Sequence, residues 1–237
     1  MSTSKTDKRE GSTEVVVDNY RVRTGFRVLT ENPLVGGPIE LEFFIEPVES
    51  ASLFLSVAGD SNRQRPGQFE FTATLDGEEV PDPLADIPSV GGPVGVVPVT
   101  DETPWRQPLV LNQFLALDTC REKLADGESA RLNVTCRRAL TLGADQTAVL
   151  TGKDWQNTSI DLALTIRRDD EALAKLIDVL MDEVTSGTAA TRLHPFELLL
   201  SLRSVAREQL TELAEFSDSS IANRAKQVRD RLTKVSE

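Results

Sequence analysis

The chain reads as an α+β protein built by segments. An antiparallel β-sandwich of about eight strands, residues 13–168, precedes a bundle of about three α-helices, residues 169–237. Three observations predict this. From Ser12 to Arg168 apolar residues recur with a period of two, as half-buried strands require. After Arg168 the period becomes 3.6. Turn residues punctuate the first part, and helix-capping residues the second.

Met1 to Ser12 is polar, with no hydrophobic stretch, and is expected to form a disordered arm. It shows no secretory leader, so the expected location is the cytoplasm. The clearest strand alternates Leu41, Phe43 and Ile45 with Glu40, Glu42, Phe44 and Glu46. Others are Leu53 to Val57, Phe69 to Leu75, Ala130 to Cys136 and Ile160 to Ile166. Further strands are expected at Val15 to Arg23, Val94 to Val99 and Pro108 to Leu117. Gly36-Gly37-Pro38, Arg65-Pro66-Gly67, Asp76-Gly77 and Asp126-Gly127 supply the turns. Seven of the twelve prolines fall between Pro81 and Pro108. Proline cannot donate to a sheet ladder, so this stretch is expected to be a crossing connection with at most a short edge strand.

In the tail, Asp169, Asp170 and Glu171 suit a helix start. Leu173, Ile177, Leu180 and Val184 form the first stripe. His194-Pro195 opens a second helix carrying Leu199, Leu202, Ala206, Leu210, Leu213 and Phe216, about 33 Å long at 1.5 Å per residue. Ile221, Ala225, Val228, Leu232 and Val235 line a third. Such stripes need a covering surface, and Leu198 and Val205 widen that of the long helix. The candidate interface is therefore Leu198, Leu202, Val205, Leu213, Phe216, Val228 and Leu232, facing a protein partner or a second copy.

The strand Ala51 to Val57 running into Ala58-Gly59-Asp60, the strand Gln68 to Leu75 with Asp76-Gly77, the Val80-Pro81-Asp82-Pro83 run and Gly91-Gly92 together resemble an immunoglobulin-like domain of uncharacterised bacterial proteins. The segment Trp105 through Leu117 and Asp126-Gly127 fit the same scheme. The resemblance implies a sandwich and brings no function with it. The Cys…Trp…Cys framework of antibody domains is missing, and no tyrosine stands before Cys136 at the usual corner. In the tail, Ala206, Leu210, Leu213 and Ala214, then Ala222, Ala225, Val228 and Leu232, resemble a HEAT-type helical pair.

Composition narrows the chemistry. Asp and Glu outnumber Lys and Arg by 38 to 26, a net charge of −12. Such a surface repels polyanions, which argues against nucleic acid as the main ligand. No apolar run approaches the roughly 18 residues of a membrane span. The single histidine, His194, sits at a helix start, so a histidine-based triad has no obvious seat. Gly152-Lys153-Asp154 fails the phosphate-loop pattern, and Gly91-Gly92-Pro93-Val94-Gly95 fails the dinucleotide pattern. The chain is expected to be no enzyme and to need no cofactor. Cys136 should face the core and Cys120 should be half-exposed, both as free thiols, although a bridge between them is geometrically open. Asp60, Asp76, Asp82 and Asp86 fall in expected loops. If those loops converge, the acids would supply hard oxygen ligands for Ca²⁺. Arg224, Lys226, Arg229, Arg231 and Lys234 form a basic cluster, favourable near a helix C-terminus and also suited to an anionic partner, including the acidic surface of another copy. The function expected is a non-catalytic interaction or scaffold module, the alternative a Ca²⁺- or small-ligand-binding sandwich.

Overall fold

A computed structural model describes residues 6–63, 65–151 and 155–235. Residues 1–5 of the expected arm, and Gly152 to Asp154 of the failed phosphate-loop pattern, lie outside the described residues. Backbone contacts divide the chain into two units. The first comprises residues 1–31, 40–115 and 131–165, the second residues 32–39, 116–130 and 166–237. The second unit thus takes two segments from the stretch expected to be pure sandwich.

The strands are β1 (Glu10–Val17), β2 (Tyr20–Val28), β3 (Glu40–Pro47), β4 (Ser52–Asp60), β5 (Arg65–Pro66), β6 (Phe69–Leu75), β7 (Glu78–Val80), β8 (Gly91–Thr100), β9 (Trp105–Val110), β10 (Ser129–Gly143) and β11 (Trp155–Arg167). A short helix, α1 (Gln146–Thr151), joins the last two. The chain is mixed α+β with antiparallel sheets: one of four strands, ordered β1-β2-β3-β9, and one of seven, along β5-β4-β10-β6-β7 with β8 on β4 and β11 on β10.

Among the described residues eleven strands stand where about eight were expected, and the bounds differ for identifiable reasons. Val15 to Arg23 is not one strand but the bend of a hairpin, with Asp18 and Asn19 at φ 48° and 69°. Two left-handed residues in succession give the turn whose twist matches the flanking strands. As a result β1 begins inside the expected arm, and Glu10, Gly11 and Ser12 pair with Arg27, Phe26 and Gly25. The proline-rich stretch carries an edge strand of ten residues, β8, which contains the strand expected at Val94 to Val99 and is longer than it. It pairs only with β4, as an edge strand, and its register shifts between Ala58 and Asp60, where Pro93 lies. Edges and bulges are where a missing N–H is tolerated. Of the strand expected at Pro108 to Leu117, only Pro108 to Val110 is strand: β9 ends at Val110 and a 3-10 turn follows at Leu111–Gln113.

Aromatic rings join the sheets of the first unit. Phe26 and Phe43 of the four-stranded sheet meet Phe69 and Phe71 of the larger one, Phe43 to Phe69 at 5.3 Å between ring centres and Phe26 to Phe71 at 5.8 Å. Phe114 closes on Phe71 at 4.6 Å. Leu41, Val134, Cys136, Leu162 and Leu164 are buried with them, as their alternation predicts. Phe44 falls on the polar side of that alternation yet is fully buried. The guanidinium groups of Arg23 and Arg27 lie over its ring at 5.9 and 5.6 Å, covering it with their own stems.

In the second unit, α2 (Asp170–Ser186) starts where the change of period predicts. The Asp169 carboxylate accepts the Ala172 N–H at 2.9 Å, and Leu173, Ile177, Leu180 and Val184 are buried. The expected long helix is broken. It runs as α3 (Leu193–Leu202), a 3-10 turn at Arg203–Ala206 and α4 (Arg207–Leu213), before α5 (Ser219–Val235). Among the described residues four helices therefore stand where about three were expected. The break falls at Arg203, whose φ is 52°. Just before it, the Ser201 hydroxyl donates to the Leu198 carbonyl at 2.6 Å, a side-chain bond that competes with the helical ladder. Cys120, expected half-exposed, is buried, because its segment folds into a 3-10 turn, Leu117–Lys123, with Leu117 and Cys120 facing inward.

Candidate functional site

Three of the four loop acids are engaged in local hydrogen bonds. Asp60 is buried, and its Oδ1 accepts N–H groups of Asn62 and Arg63 at 3.1 Å each and of Val90 at 3.3 Å. Burial alone would raise its pKa, but the hydrogen bonds from Ser89 and these backbone groups outweigh burial and hold it below the ordinary carboxylate range. Asp82 is gripped by Arg65 through two bonds, 2.8 and 2.6 Å, and also accepts the Leu84 N–H. Asp76 sits in the β6–β7 turn and accepts the Arg131 N–H at 2.8 Å. Asp86 is exposed. Among the described residues no three His, Cys, Asp or Glu side chains are grouped so that they could hold a metal ion. Asp60, Asp76 and Asp82 spend their oxygens on backbone N–H groups and guanidinium groups, which is turn building.

The seven candidate interface residues divide. Leu198, Leu202 and Leu213 are core residues of the second unit, whereas Val205, Phe216, Val228 and Leu232 are half-buried. Phe216 is partly covered by Arg192, whose guanidinium lies 5.5 Å from its ring centre. His194 is exposed at the start of α3.

Val205 lines a cleft of about 470 Å³ in the second unit. One wall is α2, with Leu173, Ala174, Ile177 and Asp178. The other is the chain from Ser204 to Gln209, and Arg121 and Asp170 stand at one end. Local chemistry builds both walls. The Arg203 break swings the chain out of helical register, and the Ser204 hydroxyl then donates to Asp118 at 2.6 Å. At the end wall, Asp170 accepts from Arg121 at 2.8 Å and from Arg168 at 2.8 and 3.1 Å. Those hydrogen bonds hold its carboxyl far below the usual range. Arg168 also donates to the carbonyls of Arg121 and Leu124, at 2.9 and 2.6 Å, tying residues 121–124 to the start of α2.

No family model and no curated protein matches this chain. Chemical reading of the site therefore rests on geometry alone.

A second concavity, of about 690 Å³, lies on the outer face of β6, β10 and β11 in the first unit. Thr72, Thr74, Asn133, Thr135 and Asp161 line it, and the Thr135 hydroxyl is already engaged with Asp161 at 2.7 Å. Ala73, Val134, Leu162 and Ala163 line it as well, so it mixes polar and apolar groups. The cleft of the second unit differs in its charge, with Arg121, Asp170, Asp178, Arg207 and Glu208 beside Leu173, Ile177 and Val205. Sequence reasoning singled out Val205 but missed Arg121, Ile177 and Asp178 as its companions. Only the fold brings these segments together, so no local signal marks them.

Among the described residues no helix is long and apolar enough to cross a membrane.

Proposed function

We propose that this chain is a non-catalytic protein-interaction module of the cytoplasm. It joins an immunoglobulin-like β-sandwich to a helical unit whose cleft receives a segment of protein. The observation that carries the reading is the cleft itself, with Leu173, Ile177 and Val205 as floor inside a rim of charges. A floor and rim of this kind suit an amphipathic helix, laid with its apolar anchors downward. Charged rims of this sort fix register and exclude wrong partners more than they add affinity. Asp170 is shared by Arg121 and Arg168. Asp178, Glu208 and Arg207 are in no ion pair among the described residues, so the unpaired groups of the lining are two acids and one base. With a net charge of −12 on the chain, a basic segment is favoured.

The sandwich part of the proposal is supported by Phe26 and Phe43 packing on Phe69 and Phe71 from the facing sheet. The cytoplasmic part is supported by two free, buried thiols.

A photoreactive residue in place of Val205, introduced in the expressing cell, tests the reading. A discrete protein adduct is expected, lost when Ala174→Arg fills the cleft. The same reagent at exposed Leu29 in the first unit is the control. An absence of adduct at Val205, or adducts that match those at Leu29 and survive Ala174→Arg, would refute it.

A further inference from the structure

We infer that the segment the cleft receives is α5 of a second copy of this chain. The inference rests on the interaction reading above and names the occupant. A basic amphipathic helix is what the cleft asks for, and the chain carries one. Within Ser219–Val235 stand Arg224, Lys226, Arg229, Arg231 and Lys234 against the single acid Asp230. In α2 the balance is reversed, with Asp170, Glu171, Asp178, Asp182 and Glu183 against Lys175 alone. A chain with a net charge of −12 thus carries one markedly basic helix, and α2 is its acidic counterpart.

The unspent groups match. On α5, Arg224 is committed to Glu197 and Arg229 to Asp230, while Lys226 and Arg231 are in no ion pair among the described residues. On α2, Asp178, Asp182 and Glu183 are likewise in none; of these Asp178 lines the cleft, facing Glu208 and the unpaired Arg207 on the other wall. The apolar groups match too. In the stripe of α5, Ile221 and Ala225 are buried within their own unit, but Val228 and Leu232 one turn apart are only half-buried. These two are spaced as anchors for a groove. Among the described residues none of α5 lines its own cleft.

If each copy gives its α5 and receives its partner's, the two contacts are related by a two-fold axis and the assembly closes as a dimer. Charge reversal tests this on the full-length protein. One variant carries Lys226→Glu and Arg231→Glu, the other Asp178→Lys and Glu208→Lys. Sedimentation velocity should show concentration-dependent dimers for the parent and at least tenfold weaker association for each variant alone. In an equimolar mixture both contacts are restored, because each acidic helix meets a basic cleft and each basic helix an acidic one. The mixture should therefore associate as the parent does. Far-ultraviolet circular dichroism checks that the variants fold, with Lys226→Gln and Arg231→Gln replacing the first pair if they do not.

A parent that stays monomeric throughout, or a mixture that does not associate, overturns the inference. The Val205 adduct separates this failure from that of the interaction reading. An adduct of twice the chain mass supports the second copy, an adduct with a different protein overturns it while the interaction reading stands, and no adduct removes both.

Discussion

The guanidinium of Arg138 lies 4.4 Å from the centre of the Phe69 ring, and Phe43 stands at 5.1 Å. Arg138 is 1% exposed, among the most buried side chains of the first unit. It donates to the Gln68 side-chain oxygen and, at 3.4 Å, to the Ser56 carbonyl, while its Nε is unpartnered. Among the described residues no carboxylate pairs with it. Burial pushes the guanidinium down to about 9, so at neutral pH it is a charge held without a counter-charge. The two ring faces offset part of that cost. Replacing a buried charge by an apolar side chain of similar length is commonly neutral or stabilising, by about 1–4 kcal/mol. Arg138→Met is accordingly expected to raise the thermal midpoint at pH 7. The sign of any pH effect follows from the lowered folded pKa. Between about 9 and the ordinary arginine value the unfolded chain binds more protons, so the parent gains stability as pH rises there and the variant does not. A clear fall in midpoint for Arg138→Met would mean that the rings and hydrogen bonds outweigh desolvation.

The hairpin between β1 and β2 offers a second test. Asn19 holds φ 69°, a conformation that costs a residue with a Cβ and is free for glycine. Asp18 is different, because its carboxylate accepts the Ala144 N–H at 2.8 Å. Asn19→Gly should therefore stabilise by about 0.5 kcal/mol, while Asp18→Gly should not, since it discards that bond. Urea midpoints at constant slope would measure both. A destabilised Asn19→Gly would contradict the turn geometry.

What was legible in the sequence follows from the range of the interactions involved. Leu41, Phe43 and Ile45 announce a strand because alternation is local, and Asp76-Gly77 announces a turn because both residues take positive φ, 48° and 94°. Asp18-Asn19 escaped notice because it interrupts a valine-rich run that reads as continuous strand. The prolines of β8 hid the full length of the strand expected at Val94 to Val99, because their tolerance depends on β8 being an edge, which is tertiary information. The same holds for the site. Arg121, Ile177 and Val205 come from three distant segments, and only the folded second unit lines them up. Leu198, Leu202 and Leu213 show the converse, since an apolar stripe on its own does not say whether it faces the interior or a partner.

Asp170 gives a prediction with a definite pH window. Hydrogen bonds from Arg168 and then Arg121 depress its folded pKa well below the unfolded aspartate value near 4. A depressed acid contributes stability that is present above its unfolded pKa and is lost as pH falls toward the folded one. The side chain is 37% exposed, so solvent screening limits the effect, and Asp170→Asn should cost about 1 kcal/mol or less at pH 7. The gap between parent and variant should narrow steadily as pH falls below about 4, and it vanishes only below the folded pKa, where both lack the charge. A gap that stays constant as pH falls below about 4 would show that the loss came from packing rather than from the ion pairs.

The two thiols give the last prediction, and they connect packing to compartment. Cys136 faces the core of the first unit and Cys120 that of the second, and both are free. Burial, reinforced by the negative charge of Asp161, pushes the Cys136 thiol above its ordinary value. Reaction requires the thiolate and access to it, and Cys136 offers neither while the fold is intact. Cys120 is equally enclosed, and its Sγ lies 3.8 Å from the Ala116 carbonyl. Under native conditions neither thiol should react promptly with a disulfide reagent, and both should react once the chain is unfolded without reductant. Because the two cysteines belong to different units, their native labelling rates report each unit separately. If the second unit opens more readily than the first, Cys120 will be labelled first at intermediate urea, and a peptide map will show the two rates apart. Mass spectrometry that found a Cys120–Cys136 bridge in most molecules would contradict the free thiols, and with them the proposed cytoplasmic location.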